Sequence, residues 1–165
     1  MKVIADTREK TNEHILQYFE KHGIPYTIAK IDTGDYLNTD NPTVRVERKA
    51  SLGELAHNLL SPDRKRFYNE IRRGRDEGLK LVILCEHGPG IHSIKDIRNW
   101  QPKYGKVTGK ALADAIFRLE ISYQVPCYFC SKRSTGKRIV EILNGEGFTD
   151  DYGNDTRECD RNADR

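Results

Sequence analysis

Two carboxylates and an ammonium stand where a strand pair prefers apolar side chains. In the stretch GDYLNTDNPTVRVERK, residues 34–49, Asp35 opens one strand-like run, and Glu47 and Lys49 close the next. Alternate side chains along a strand share a face, so Arg45, Glu47 and Lys49 point one way while Val44 and Val46 point the other and pack. A turn at Asp40-Asn41-Pro42 makes the two runs a hairpin, and cross-strand pairing then brings Asp35 toward Glu47. Asp6 and Glu9, in DTRE, stand where a first strand leaves the sheet. Convergent carboxylates make a hard-oxygen site suited to Mg²⁺ or Mn²⁺. A metal there polarises a phosphoryl oxygen and lowers the pKa of bound water, and a lysine two residues beyond a ligand can orient or deprotonate that water. The chemistry in view is phosphodiester hydrolysis. On spacing alone, a surface strand pair with salt-bridging charges fits equally well.

The elements that must position these groups follow from periodicity and punctuation. A short strand over 2–6 precedes a helix from Asn12 to His22 stopped by Gly23, and 25–31 reads as a second strand. After the hairpin, Ser51 and Glu54 form an S-x-x-E capping box for the helix LGELAHNLL. Ser61-Pro62 opens DRKRFYNEIRRGRDE, which Gly78 closes. LKLVILCE, residues 79–86, has the profile of a strand buried on both faces. A short helix at SIKDIRN, a basic loop over 101–109, the helix KALADAIFRLEISY, a strand over 125–130 and the helix GKRIVEILN complete the order. Strands alternating with crossover helices predict an α/β fold with a central mixed sheet flanked by helices.

The chain has 165 residues, enough for one domain burying roughly 70% of its unfolded surface. No apolar run approaches the ~20 residues of a membrane span, and the N-terminus runs straight into a strand, so a cytoplasmic protein without a signal peptide is expected. Residues 150–165 hold six acids and three arginines, net −3, so with a formal charge of +3 for the whole chain the preceding 149 residues carry +6. A basic body over 1–149 with an acidic, flexible tail over 150–165 points to an anionic partner. Arg64, Lys65, Arg66, Arg72 and Arg73 on one helix, with Lys103, Lys106 and Lys110 around Tyr104, are candidate phosphate contacts. A solvated helix face with pairs such as Arg66–Glu70 would show the same pattern.

Cys127 and Cys130 form C-x-x-C, yet on a strand they point to opposite faces, so buried free thiols are expected. KVTGKA and STGKR lack P-loop spacing, which excludes nucleotide binding of that kind. His14 and His22 read as surface residues, and Trp100 as a core or hinge residue.

The hairpin's wording carries a resemblance. GDY, then ERK eleven residues on, is similar to the signature of the XPF-type (ERCC4-domain) nuclease family, a branch of the PD-(D/E)XK nuclease superfamily. VIADTRE resembles that family's first strand, RFYNEI its Arg-aromatic-Tyr segment, LKLVILCE a core strand, and VPCYFC with STGKRIVEIL the closing strand and helix. The likeness covers roughly residues 1–148.

It implies a restriction-endonuclease-like fold, metal-ligand roles for Asp35, Glu47 and Asp6, and a catalytic Lys49, supported by Arg48, Arg8, Glu9 and Arg66. It also implies hydrolysis by water attack, leaving 5′-phosphate and 3′-hydroxyl ends. The expected protein is a Mg²⁺- or Mn²⁺-dependent DNA endonuclease acting on flap, fork or other branched DNA in repair or recombination. A Holliday-junction resolvase-like nuclease and a catalytically silent DNA-binding subunit are the alternatives. The sequence departs from the family at Gly53, where an Asp is usual, and at Glu70, where Gln is more common. Neither a helix-hairpin-helix module nor a helicase accompanies the domain. That suggests a bacterial or phage relative working as a homodimer or with a separate DNA-binding or helicase partner.

Overall fold

The structure, a computed structural model, describes residues 1–87, 90–103 and 105–146. Its elements are β1 (Val3–Ala5), α1 (Glu13–Lys21), β2 (Tyr26–Ile28), β3 (Tyr36–Asn38), β4 (Asn41–Lys49), α2 (Leu52–Leu60), α3 (Arg64–Asp76), β5 (Lys80–His87), α4 (Ile94–Ile97), α5 (Gly109–Tyr123), β6 (Cys127–Ser131) and α6 (Thr135–Asn144). Six strands make one sheet in the order β2-β1-β3-β4-β5-β6. The pairs β1–β2, β4–β5 and β5–β6 are parallel, and β3 runs antiparallel to both β1 and β4. The sheet is therefore mixed, as the strand–helix alternation predicts. None of the described helices is long and apolar enough to cross a membrane.

Two cores sit on opposite faces of this sheet. One packs α2, α3, α4 and α5 against Leu81, Ile83 and Cys85 of β5 and Cys127 and Phe129 of β6. The other packs α1 and α6 against Val3, Ala5, Tyr36, Val46, Leu84 and Cys130. β5 thus gives odd-numbered side chains to one core and Leu84 to the other, which explains its nearly unbroken apolar run. Cys127 and Cys130 fall into different cores, and with Cys85 they are buried free thiols. Trp100 is half-buried against the first core.

The hairpin differs from its expected outline in one respect. Asn41 and Pro42 belong to β4, and the turn falls at Thr39-Asp40 instead. Pro42 is tolerated because β4 pairs with β5 only from Val44 onward, so no ladder hydrogen bond to β5 is lost at the proline. The acidic segment 150–165 lies outside the described residues, as do Tyr104 and Cys159.

Candidate active site

The register that fixes the sheet also fixes the site. Tyr36 pairs with Val46, and Asp35, just before Tyr36, reaches the same cleft as Glu47, just after Val46. Gly34 makes this possible: its φ of +77° is left-handed, and a Cβ there would meet Arg45 Cβ at 3.0 Å and Val46 O at 3.3 Å. Asp35 is pinned twice, by its N–H donating to Val46 O at 2.8 Å and by Arg48 N–H donating to its Oδ2 at 2.8 Å. Alternation then sends Glu47 and Lys49 toward the α2–α3 layer and Arg48 toward α1 and α6. Lys49 Nζ lies 2.7 Å from Glu47 Oε1 and 4.7 Å from the Phe67 ring centroid.

The result is a cleft of about 260 Å³ lined by Arg8, Glu9, Asp35, Glu47, Arg48, Lys49 and Glu54, among others. Its electrostatics are dominated by burial. Burial pushes the Glu47 carboxyl up to about 8, the Asp35 charge pushes the same way, and Lys49 opposes both. Asp35 is raised to about 7 by burial and by the nearby Glu9 carboxylate. Burial also raises Glu9, against the pull of Arg48. Burial lowers the Lys49 ammonium, but the charges of Glu47, Asp35 and Glu54 outweigh it and leave its pKa raised. The cleft lining balances four carboxyls, Glu9, Asp35, Glu47 and Glu54, against four cations, Arg8, Lys10, Arg48 and Lys49, so it is burial above all that raises Asp35 and Glu47.

That burial bears on whether a divalent cation fits. A buried and a half-buried carboxyl whose pKa values are raised toward neutrality, both hard oxygen donors, are the arrangement that Mg²⁺ or Mn²⁺ would relieve. Asp35 and Glu47 face the cleft and suit such an ion. Among the described residues no group of three His, Cys, Asp or Glu side chains forms a complete metal cluster.

Asp6 is not brought into this set. Its carboxylate is saturated by Arg8 N–H at 2.6 Å, Arg8 Nε at 2.9 Å, Arg8 Nη2 at 3.0 Å and Ile31 N–H at 2.7 Å. Burial would raise its pKa, yet the Arg8 and Ile31 hydrogen bonds hold it below the usual carboxylate range. Asp6 is an anchor for the loop after β1, and Glu9 faces Asp35 in its place. Arg8, held at one edge by Asp6, keeps a largely exposed guanidinium at the cleft rim.

Arg48 is the part of the site that lies on the other face of the sheet. Its Nε donates to Glu86 Oε1 at 2.9 Å and its Nη1 to Glu9 Oε1 at 2.7 Å. Glu86, at the end of β5, also contacts His14 Nε2 at 2.7 Å and accepts from Thr135 Oγ1 at 2.9 Å. Burial raises the Glu86 carboxyl, but Arg48 and His14 more than reverse this. Glu86, His14 and Thr135 were not expected at the site, and His14 is a network member, not a surface residue. A carboxylate closing the most apolar strand was the one signal in the sequence.

Glu54 has the capping job its spacing predicts, in slightly altered form. Ser51 Oγ accepts from Glu54 N–H at 3.1 Å, and Glu54 Oε2 accepts from Ala50 N–H at 2.8 Å, one residue upstream of the cap. Gly53 is exposed, and a Cβ there meets only Ser51 Oγ at 3.6 Å.

α3 divides its basic residues between two flanks. Glu70 faces the cleft, since its charge is felt by Glu47 and Arg8, and helical spacing places Arg66 and Arg73 beside it. The Arg66–Glu70 ion pair does not form among the described residues. Arg64, Lys65 and Arg72 line a different cleft, toward α5. Lys103, Lys106 and Lys110 are exposed, the last on the first turn of α5.

Comparison with known proteins agrees with this fold. The sequence matches the family described as "ERCC4 domain" over residues 5–143. The fold is similar to "XPF from Aeropyrum pernix", with a TM-score of 0.66 and 21% identity over 87% of this chain and 64% of that one. It is similar too to "XPF from Aeropyrum pernix, complex with DNA", with a TM-score of 0.64 and 20% identity over 87% of this chain and 63% of that one. The chain spans less than two thirds of the length of either. No curated protein matches the sequence significantly.

Proposed function

The chain belongs to the ERCC4-domain family, and from that membership we propose that it is a divalent-metal-dependent DNA endonuclease selective for branched substrates such as flaps and forks. The observation that carries the reading is the trio Asp35, Glu47 and Lys49 in one cleft, Glu47 and Lys49 buried and Asp35 half-buried, with both carboxyls raised toward neutrality and the lysine 2.7 Å from Glu47. A solvated strand pair would leave these charges exposed, whereas Glu47 and Lys49 are 8% and 5% exposed.

Each residue has a task in phosphodiester hydrolysis. Asp35 and Glu47 would hold Mg²⁺ or Mn²⁺, which when bound polarises the phosphoryl oxygen and lowers the pKa of a water. Lys49, kept charged by its carboxylate neighbours, orients the attacking water and balances the negative charge that grows on the phosphate. Arg8 at the rim offers its remaining N–H groups to the same phosphate. Arg48 touches no substrate. It ties Glu9 beside Asp35 and anchors the carboxyl pair to β5. The ends left are 5′-phosphate and 3′-hydroxyl.

The test is purified protein with Mg²⁺ or Mn²⁺ on labelled flap, fork, four-way junction and linear duplex DNA. Cleavage of a branched substrate in preference to duplex, lost in EDTA, is expected. Absence of cleavage on all four with either metal would overturn the reading.

A further inference from the structure

A second cleft, of about 870 Å³, opens between the end of α2, the outer flank of α3 and the later turns of α5. It shares no lining residue with the catalytic cleft. Arg64, Lys65, Arg72, Arg75 and Arg118 line it, and no acidic residue does. None of the five is within ion-pair distance of a carboxylate among the described residues. By contrast Arg8, Arg48, Arg98 and Arg138 each have one. Cations that converge from two helices without counter-charges raise a local positive potential that favours a polyanion.

The floor of the cleft is aromatic. Tyr68 and Tyr123 lie with ring centroids 5.1 Å apart at 47°. Arg72 sits 5.8 Å from the Tyr123 centroid, and its orientation is fixed by neutral groups, Asn69 Oδ1 at 3.0 Å and Tyr123 OH at 3.2 Å. Rings give unpaired bases a surface on which to stack, and guanidinium groups at the same place receive the phosphates between them. Paired bases present no free face, so the combination favours a single strand over a duplex.

We propose that this cleft binds a single-stranded arm of a nucleic acid, with phosphates on Arg64, Arg72, Arg75 and Arg118 and bases against Tyr68 and Tyr123. Because it flanks α3 on the side away from Asp35 and Glu47, the strand held here is not the strand being cut. The choice of DNA as the polymer rests on the nuclease reading above.

Anisotropy of a labelled (dT)12 with the full chain in EDTA tests this. The variant Arg72→Ala/Arg75→Ala/Arg118→Ala should weaken binding at least about tenfold and flatten the log–log salt dependence by about 2, from ~0.7 per single-strand phosphate over three contacts. Tyr123→Leu, which keeps apolar contact with Tyr68, should weaken (dT)12 several-fold and leave a 12-base-pair duplex unaffected. Unchanged (dT)12 affinity in a triple variant that melts like wild type overturns the proposal. So does equal loss on single strand and duplex in Tyr123→Leu, or a triple variant that alters only sedimentation, which would make the cleft an interface between copies. The assay needs no cleavage. Wild-type binding of (dT)12 that is lost in the triple variant would support this site even if no substrate were cut, and the absence of cutting would then count against the nuclease reading alone.

Discussion

Asp35 and Arg48 are joined across the β3–β4 hairpin: the Arg48 backbone N–H donates to the Asp35 carboxylate at 2.8 Å, and the Asp35 N–H donates to Val46 O at 2.8 Å. One strand therefore positions both acids, Glu47 through its side chain and Asp35 through its main chain. Asp35→Asn and Glu47→Gln keep shape and remove charge. Each should abolish metal-dependent cleavage while leaving the fold intact by circular dichroism. Wild-type cleavage rates in both variants would remove the assignment of these two acids.

The same pair makes the metal-free protein sensitive to pH. Its carboxyls titrate at about 7 and about 8 in the fold and near 4 when unfolded. Between those values the folded state binds more protons than the unfolded state, so stability falls as pH rises from about 4 to 8. Melting in EDTA should thus move to lower temperature from pH 5 to pH 8, and Glu47→Gln should flatten the trend. Added Mg²⁺ at pH 8 should raise the melting temperature of wild type and not of Glu47→Gln. A melting temperature that climbs with pH in EDTA would contradict this.

Lys49 is expected to matter for turnover. Lys49→Ala should lower the cleavage rate by about 10²–10⁴-fold, the range for a positioned proton-handling group. Metal-induced thermal stabilisation should remain, because Asp35 and Glu47, the ligands proposed above, are untouched. A near wild-type rate would show that water activation here does not involve the lysine.

Glu86 is a positioning residue. Glu86→Gln leaves a buried Arg48 with only Glu9 as its charged partner, and breaking a buried pair typically costs about 3 kcal/mol or more. Urea unfolding should show that loss. Because Glu9 and Asp35 would still be present, saturating metal should recover part of the cleavage rate. Stability within about 0.5 kcal/mol of wild type, the range of an ordinary surface substitution, would mean that Arg48 is held from elsewhere.

Gly53 is open to substitution. A Cβ there meets nothing closer than 3.6 Å, and an acid in the first turn of a helix is favoured by the helix dipole. Gly53→Asp should fold at least as stably as wild type and, by restoring the family's acid at the edge of the cleft, raise cleavage or tighten Mg²⁺ binding. If cleavage and metal affinity both stay the same, the position is dispensable in this protein.

What could be read from the sequence was whatever a strand's alternation controls. Asp35, Glu47 and Lys49 belong to one hairpin, so pairing rules alone brought them together. Glu86 and His14 reach Arg48 through parallel pairing of β4 with β5 and the packing of α1, contacts between segments far apart in the chain that no local pattern encodes. The surroundings of Asp6 were not legible for a different reason. Spacing put it at a strand end beside the site, but the competing hydrogen bonds from Arg8 and Ile31 depend on how the following loop closes. The helix of 62–77 showed its positive charge plainly, while its division into two flanks emerged only once Phe67 and Ile71 were seated in the core.

The alternation along β4 also governs how this hairpin can change length. Its tip at Thr39-Asp40 is some distance along the strand from Glu47, so residues can be added there as long as Tyr36 still meets Val46. One residue inserted between Val46 and Glu47 would do far more harm. It would exchange inside for outside, turning Glu47 and Lys49 toward α1 and α6 and the Arg48 guanidinium toward Phe67. Parity, counted from Val46, is the quantity this stretch must preserve, and a loop as long as one likes can hang from its other end.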